Sequence, residues 1–151
     1  ARRRAERLGA VGVERVDLRA DASAIQDCLA ESNPGTQADP TAPGEEAWFG
    51  VREGDRLVGV IGATRRLGDP AGHDRTWHLH GLGVRPEARR RGLGGALTAA
   101  ATRSAIAEGA DWVSLGLYAS NMAAQRVYQR LGFRTDGRFS SYRPPGASPR
   151  H

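Results

Sequence analysis

The sequence predicts an α/β (α+β) fold with a mixed, mostly antiparallel central sheet of about six to seven strands, flanked by helices. Three observations predict it. The apolar pattern gives the order strand, helix, three strands, helix, strand, helix, strand. A tight turn joins two strands as an antiparallel hairpin, whereas strands separated by helices need crossover connections. The 151 residues, 39% of them hydrophobic, are enough to bury one core.

The N-terminal part of the chain carries a strand, a helix and a loop. Apolar residues with imperfect alternation predict the first strand within 11–18. Asp21 can cap a helix that runs to about Ser32. Residues 33–46 are rich in proline and glycine, which predicts a loop before the next strand.

Three strands follow in the middle of the chain. Residues 47–52 and 56–66 alternate well enough to predict two strands, and the turn at 53–55 is a hairpin signal. A polar loop then leads to a fourth strand at 76–84.

The C-terminal half alternates helices and strands. An alanine-rich helix is predicted from 92 to 108, and Gly109 ends it. A fifth strand at 112–118 precedes a helix at 121–132, and residues 133–142 supply one or two last strands. The pattern therefore predicts one domain over 11–142, with flexible tails at 1–10 and 143–151.

Composition excludes several classes of protein. No apolar run is long enough to span a membrane, so we predict no membrane partner. The only cysteine, Cys28, cannot form an internal disulfide, which fits a reducing compartment and a cytoplasmic location. Cys28 follows a helical apolar spacing, which favours a buried small residue over a nucleophile.

The net charge of +5 raises the question of nucleic-acid binding. All 22 basic residues are arginines, and they are spread along the chain except at 2–4 and 89–91. A dispersed charge does not form a nucleic-acid footprint. We therefore predict no nucleic-acid partner and keep an Arg-rich nucleic-acid-binding domain as the less favoured alternative.

Residues 89–94, RRRGLG, begin the helix after the fourth strand. Glycines allow a ligand close to the backbone, and the N–H groups and dipole of a helix N-terminus favour a phosphate or pyrophosphate. The segment is not a Walker loop, because no Gly-Lys-Ser/Thr follows. An ordinary helix start with exposed arginines remains the alternative.

Gly81 and Gly83 lie inside the fourth strand. Glycine within a strand often marks a bulge or a close approach of another backbone. A bulge here would splay the fourth strand from the fifth and open a slot between them. The alternative is a weak, twisted strand.

Two motifs resemble those of the GNAT acetyltransferase superfamily. The coenzyme A signature of that superfamily, Arg/Gln-x-x-Gly-x-Gly/Ala after a strand ending in Val-x-Pro, falls on Arg89, Gly92 and Gly94. The later pattern N-x-x-A-x-x-x-Y-x-x-x-G-F is matched by Asn121, Ala124, Tyr128, Gly132 and Phe133. The resemblance covers roughly 11–142, and it implies the GNAT acyl-CoA acyltransferase fold and acetyl-CoA as cofactor.

The resemblance also implies a cofactor site. Its pyrophosphate would be held by the segment after the fourth strand, namely Arg89, Arg90, Arg91, Gly92, Leu93, Gly94 and Gly95. The pantetheine arm would pair with the main chain of Leu82, Gly83 and Val84. Asn121 would contact the pantetheine or a neighbouring loop, although helix capping alone is the simpler explanation of this residue.

The resemblance implies an acid and a base. The Tyr128 phenol would protonate the departing CoA thiolate, with plain packing as the alternative. His78 and His80 share one face of the fourth strand. Their segment is similar to that of arylalkylamine N-acetyltransferases, where two such histidines remove protons. Many family members instead use a glutamate on this strand, and 78–83 contain none.

Histidine suits the role of base because its ordinary pKa is near 6.5. We favour His80, which lies nearer the expected thioester, with His78 second through a water molecule. The alternative is a pair of satisfied polar residues on a half-buried strand. A zinc site is discounted, because no third ligand candidate is near.

The sequence therefore predicts an N-acetyltransferase that moves an acetyl group from acetyl-CoA to a primary amine by direct attack in a ternary complex. The acceptor would be a small-molecule or peptide amine, attracted by the acidic segment 21–46, unless that segment is a solvated surface. A non-catalytic acyl-CoA-binding module is the alternative. Family members are often dimers, so a homodimer is compatible with the resemblance.

Overall fold

The computed structural model describes residues 12–67, 75–116, 126, 128–136 and 139–142. The predicted tails at 1–10 and 143–151 lie outside the described residues, as does Asn121. The predictions for these parts of the chain therefore stay predictions.

The described residues form one seven-stranded sheet with a helix on each face. The strands are β1 (Val13–Val16), β2 (Glu45–Glu53), β3 (Arg56–Leu67), β4 (Arg75–Val84), β5 (Trp112–Gly116), β6 (Arg134–Asp136) and β7 (Phe139–Tyr142). The helices are α1 (Ala22–Ser32) and α2 (Leu93–Ala107). Arg126 and residues 128–130 are also helical. No helix of the described residues is long and apolar enough to cross a membrane.

The strand order in the sheet is β1-β2-β3-β4-β5-β7-β6. Only β4 and β5 run parallel, and every other neighbouring pair of these seven strands is antiparallel. The predicted mixed, mostly antiparallel sheet of six to seven strands is confirmed. The parallel pair arises because α2 forms the crossover between β4 and β5.

At the start of α1, the Asp21 side chain does not make the hydrogen bond expected of a helix cap. Asp21 occupies the position before the helix, but its side chain makes no capping hydrogen bond. Its carboxylate accepts from the Asp17 N–H at 2.9 Å and from Arg52 at 3.0 Å. Asp21 therefore stands at the predicted N-cap position, but its carboxylate binds the Asp17 N–H and Arg52 rather than a helix N–H group.

Two apolar cores lie on the two faces of the sheet. On one face, α1 packs Ile25, Cys28 and Leu29 against residues that include Trp48. On the other face, α2 packs against residues that include Trp77 and Leu79, and we call this the α2-side core. Since side chains alternate along a strand, His78 and His80 face the α1 side.

Cys28 is fully buried in the α1-side core, as predicted. Burial raises the pKa of its thiol, so the neutral form is favoured. This agrees with packing rather than with a reactive thiolate.

β4 contains the predicted bulge. His80 pairs with Gly62 and Gly83 with Val60, so three steps along β4 match two along β3. Gly81 sits within the extra length at φ 66°, in the left-handed region that glycine tolerates. The pairing of β4 with β5 covers 76–79 and 112–115, which leaves residues 81–84 beyond that pairing.

Candidate active site

The N-terminus of α2 is open. Gly92 precedes the helix at φ 76°, and no side chain caps it. The first turn contains Leu93, Gly94 and Gly95 and no acidic residue. Because the first N–H groups of a helix have no acceptor within it, those of α2 present partial positive charge outward. This geometry suits a phosphate or pyrophosphate group.

The turn that leads into α2 has an unusual backbone. Arg90 has φ 68°, the only positive value among the described residues that are not glycine. Bulky residues rarely adopt this region. Left-handed residues in a tight turn expose successive N–H groups as a concave anion site. The strain at Arg90 therefore lies where the sequence predicts phosphate binding.

The three arginines of this turn differ in their availability. Arg89 donates to the main-chain oxygens of Val84 at 3.0 Å and Ser32 at 3.2 Å, so it helps to hold the turn. Arg91 pairs with Glu53 in the hairpin between β2 and β3. Arg90 is exposed, and no ion pair joins it to another described residue. Of the three guanidinium groups, that of Arg90 is therefore best placed to reach an anion.

Beyond the β5 pairing, β4 has a main-chain edge directed away from β3. The Arg85 N–H donates to the Val58 oxygen on β3 at 2.8 Å. By alternation, Leu82 and Val84 direct their N–H and C=O groups away from β3. The Leu82 oxygen accepts from the Asn33 amide at 3.2 Å. This edge could pair with an extended ligand that carries amide groups.

The main chain of Gly83 faces β3, whereas that of Leu82 and Val84 faces the outer edge of β4. Gly83 pairs with Val60 on β3. A Cβ at this position would meet the Ser32 side chain at the end of α1. The predicted pairing of a pantetheine arm therefore suits Leu82 and Val84, while Gly83 allows α1 to approach β4 closely.

His80 lies against a buried carboxylate on β2. Its Nε2 atom is 3.0 Å from Glu45 Oε1, and the Glu45 side chain is only 6% exposed. The same oxygen accepts a hydrogen bond of 2.6 Å from the Trp48 indole. The Trp48 ring meets the His80 ring edge to face, with centroids 5.5 Å apart.

His78 has a partner on β5. Its Nδ1 atom lies 3.0 Å from Ser114 Oγ. The ring is half-buried, as is that of His80. The two predicted base candidates thus lie on the same face of β4, and His80 is next to a carboxylate at an ion-pair distance.

Sequence reasoning missed Glu45 as a site residue, and a β-bulge explains why. Strict alternation from Trp48 would place Glu46, not Glu45, on the α1 side. The pairing of β2 with β3 shifts register between Glu45 and Ala47, which reverses the alternation there. The only sequence signal was two adjacent glutamates directly before an apolar strand.

Tyr128 is buried in the α2-side core, and its side chain is not near the surface. It is 6% exposed and packs against the Phe133 ring at a centroid distance of 6.2 Å. Burial raises the pKa of the phenol, which keeps its proton in place at neutral pH. Residues 117–125, which precede it, lie outside the described part of the chain. The role of Tyr128 as an acid therefore stays a prediction.

Most acidic side chains of segment 21–46 are paired within the protein. Asp21 binds Arg52, and both Asp27 and Glu31 bind Arg85. Hydrogen bonds from Thr41 lower the pKa of the exposed Asp39 carboxyl. These ion pairs neutralise much of the negative charge that was predicted to attract a cationic amine acceptor. No cluster of three or more potential metal ligands occurs among the described residues.

Comparisons with known proteins agree with this geometry. A family model described as "Acetyltransferase (GNAT) family" matches residues 16–133. Mycothiol acetyltransferase of Renibacterium salmoninarum is 33% identical over 111 residues, which cover 69% of this chain and 32% of that protein. N-acetylaspartate synthetase of Danio rerio is 32% identical over 99 residues, covering 66% of this chain and 33% of that protein. The chain spans about a third of the length of these curated relatives.

A solved structure has the same fold. The crystal structure of a GNAT family acetyltransferase from Brucella melitensis in complex with acetyl-CoA matches with a TM-score of 0.68. The match covers 91% of this chain and 90% of that chain at 17% sequence identity. At this identity the likeness shows the fold alone.

Proposed function

The chain belongs to the acetyltransferase (GNAT) family, and from that premise we propose that it transfers an acetyl group from acetyl-CoA to a primary amine. The transfer takes place by direct attack within a ternary complex. One observation supports this most strongly. The outward edge of β4 at Leu82 and Val84 leads, through a short turn, to the open N-terminus of α2. A single continuous segment thus offers partners for both amides and phosphates.

The fit of this segment to acetyl-CoA rests on its backbone. Gly94 and Gly95 carry no side chains in the first turn of α2, and a Cβ at Gly92 would meet nothing within 4 Å. The N–H groups of residues 92–95 would hold the pyrophosphate, with Arg90 nearby. The main chain of Leu82 and Val84 would pair with the pantetheine amides. Bound there, acetyl-CoA supplies an activated thioester.

The protein's own residues would handle the protons. An amine acceptor arrives mostly as an ammonium ion, and His80 would take one proton from it. The freed lone pair forms the new C–N bond to the acetyl carbonyl carbon while the C–S bond breaks, and the new amide nitrogen then releases its second proton to solvent. Tyr128 would give its proton to the departing sulfur. The proton held by His80 and the one lost by Tyr128 are then exchanged through solvent, which restores both residues.

The acceptor is proposed only as a primary amine of a small molecule or peptide. The two curated relatives are named after different compounds, mycothiol and N-acetylaspartate. The acidic side chains of α1 are occupied by arginines, so they do not select a cationic acceptor on their own. A panel of amines is therefore needed to find the acceptor.

The test is calorimetric titration of the protein with acetyl-CoA, repeated with Gly92→Glu. This change places a negative charge at the proposed pyrophosphate site, and we expect binding at least about tenfold weaker, or about 1.4 kcal/mol. Gly109→Glu is the matched control, because Gly109 also has a positive φ, of 98°, but follows the other end of α2. Its affinity for acetyl-CoA should match that of the wild type.

Two results would contradict the proposal. One is wild-type protein that does not bind acetyl-CoA. The other is binding with no release of CoA across an amine panel of amino acids, amino sugars, polyamines and peptide N-termini. The second result would identify the chain as an acyl-CoA-binding module without catalysis.

A further inference from the structure

We propose that Glu45 is a positioning residue for His80, and that its carboxylate stabilises the protonated imidazole formed when His80 accepts a proton. This inference rests on the proposed function, since it assigns a partner to the base of that reaction. Glu45 lies on β2, outside the segments that carry the two sequence motifs.

The contacts of Glu45 carry the inference. Its Oε1 atom lies 3.0 Å from His80 Nε2, and the same atom accepts from the Trp48 indole at 2.6 Å. The side chain is 6% exposed, so solvent screens this pair poorly. Trp48 is fully buried and holds the carboxylate in place through its N–H group. The carboxylate is therefore fixed beside the ring rather than free to rotate into water.

The cost of burying a carboxylate also favours a positive charge beside Glu45. An ionised carboxylate removed from water is unfavourable unless hydrogen bonds or an opposite charge compensate it. The indole N–H supplies one hydrogen bond and no charge. A protonated His80 supplies the opposite charge at 3.0 Å. The pair is thus more stable when His80 holds the extra proton, which is the state that follows proton removal from an ammonium ion.

The geometry also separates the two nitrogens of the ring. Nε2 of His80 is buried, and it has no hydrogen bond of normal geometry within the described structure despite its closeness to Glu45. The contact is therefore a close approach of the ring to a carboxylate rather than an aligned hydrogen bond. Because Nε2 faces Glu45, Nδ1 is the ring nitrogen left to meet the acceptor amine.

Among the described residues, Glu45 is the carboxylate that lies at ion-pair distance from His80. From β2 the ring meets Glu45 and Trp48, and along β4 the nearest titratable neighbour is His78, which is bound to Ser114. Asp27 and Glu31 on α1 are bound to Arg85. Glu46, the next residue along β2, pairs with Arg15 and Arg65. Glu45 is therefore the carboxylate expected to govern the protonation of His80.

The first test follows the His80 imidazole by NMR during a pH titration of the protein without acetyl-CoA. The signal is assigned by its loss in His80→Gln. In Glu45→Gln, which keeps the side-chain volume and an oxygen for the indole, we expect the midpoint to fall by about one pH unit. Glu46→Gln is the matched control and should leave it unchanged.

The second test is the pH dependence of acetylation of the best amine from the panel. Since the carboxylate favours the protonated ring, its loss should move the acid limb of the profile to lower pH by the same amount. We expect kcat to fall about tenfold, because a weaker base removes the proton less readily, while KM for acetyl-CoA stays unchanged.

The outcomes separate this inference from the proposed function. An NMR midpoint that is the same in Glu45→Gln and wild type would overturn the inference, whether or not the protein is active. An active protein whose pH profile does not respond to Glu45→Gln would also overturn it and would leave the proposed function standing. A protein that acetylates no amine would overturn the proposed function, while the NMR titration still decides the coupling between Glu45 and His80.

Discussion

Glu45 and Glu46 are adjacent on β2, but their carboxylates differ in burial and in binding partners. Glu46 lies among arginines at a partly exposed site, where an ion pair contributes about 0–1 kcal/mol. The Glu45 side chain is buried beside an imidazole and an indole, which take the place of water around its carboxylate. The two side chains have identical chemistry, and only their burial and partners differ.

Tyr128 allows a sharp test of a role as acid. In Tyr128→Phe we expect kcat to fall about 10²-fold or more, because the departing thiolate loses its proton donor, with KM for acetyl-CoA unchanged. The ring packing against Phe133 is kept, so the free energy of unfolding should change by less than about 1 kcal/mol. Steady-state kinetics and urea unfolding measure the two quantities. Unchanged kcat would leave Tyr128 with a packing role only.

The raised pKa of Tyr128 also predicts how stability depends on pH. Above pH 10 the unfolded chain loses the phenol proton that the folded protein still holds. The folded state then binds more protons than the unfolded state, so the free energy of unfolding should decrease as pH rises. Tyr128→Phe should show a smaller decrease over the same interval.

At the scale of elements, the bulge in β4 organises the site. It places Gly81 against Trp48, and it lies between Leu79, the last residue paired with β5, and the edge formed by Leu82 and Val84. The turn after β4 then positions the open end of α2. The proposed site thus depends on irregularities in two strands: the bulge in β2 brings Glu45 beside His80, and the bulge in β4 lies beside the proposed cofactor edge.

We predict that Gly81→Ala destabilises the protein by about 2–4 kcal/mol. Gly81 has φ 66°, and an added Cβ would lie 2.7 Å from Trp48 and 2.8 Å from Ala38. Urea unfolding gives the change in free energy. Gly35→Ala is the control, since a Cβ there meets nothing within 4 Å, and its effect should stay within about 1 kcal/mol. Equal stability of the two variants would show that the bulge does not need glycine.

At the scale of the whole molecule, a buried arginine joins α1 to the sheet. Arg85 follows β4 directly and is 2% exposed. Its guanidinium donates to the Leu57 oxygen on β3 at 2.7 Å, to Asp27 at 2.8 Å and to Glu31 at 3.2 Å. Together with the bonds from Arg89 to Ser32 and from Asn33 to Leu82, it holds the end of α1 beside β4.

Removal of this arginine should affect the stability of the whole protein. For Arg85→Ala we expect a loss of about 2–4 kcal/mol in the free energy of unfolding, because a buried carbonyl loses its donor and packing is lost. Arg56→Ala is the control, since Arg56 also pairs with Glu31 but is exposed, and it should lose less than about 1 kcal/mol. Similar losses measured for the two variants in urea would mean that burial of Arg85 adds nothing.

Much of the fold followed from local patterns. The order of helices and strands, the hairpin, the glycine that ends α2 and the bulge at Gly81 all rest on residues near one another in the chain, so periodicity and turn chemistry sufficed. The glycine-rich start of α2 was predicted for the same reason. The two histidines shared a face of β4 because alternation is a local rule.

Tertiary structure alone decided the partners of the charged side chains. The bulge in β2 exchanged the faces of Glu45 and Glu46, and, unlike the bulge in β4, no glycine at 45–47 marks it, so only the pairing with β3 reveals it. Arg89 and Arg91, predicted at a phosphate site, are bound to groups distant in sequence. The sequence by itself determined the elements and the motifs, because these depend on neighbours along the chain. The structure determined which charges meet, because those contacts depend on strand register and on the packing of helices against the sheet.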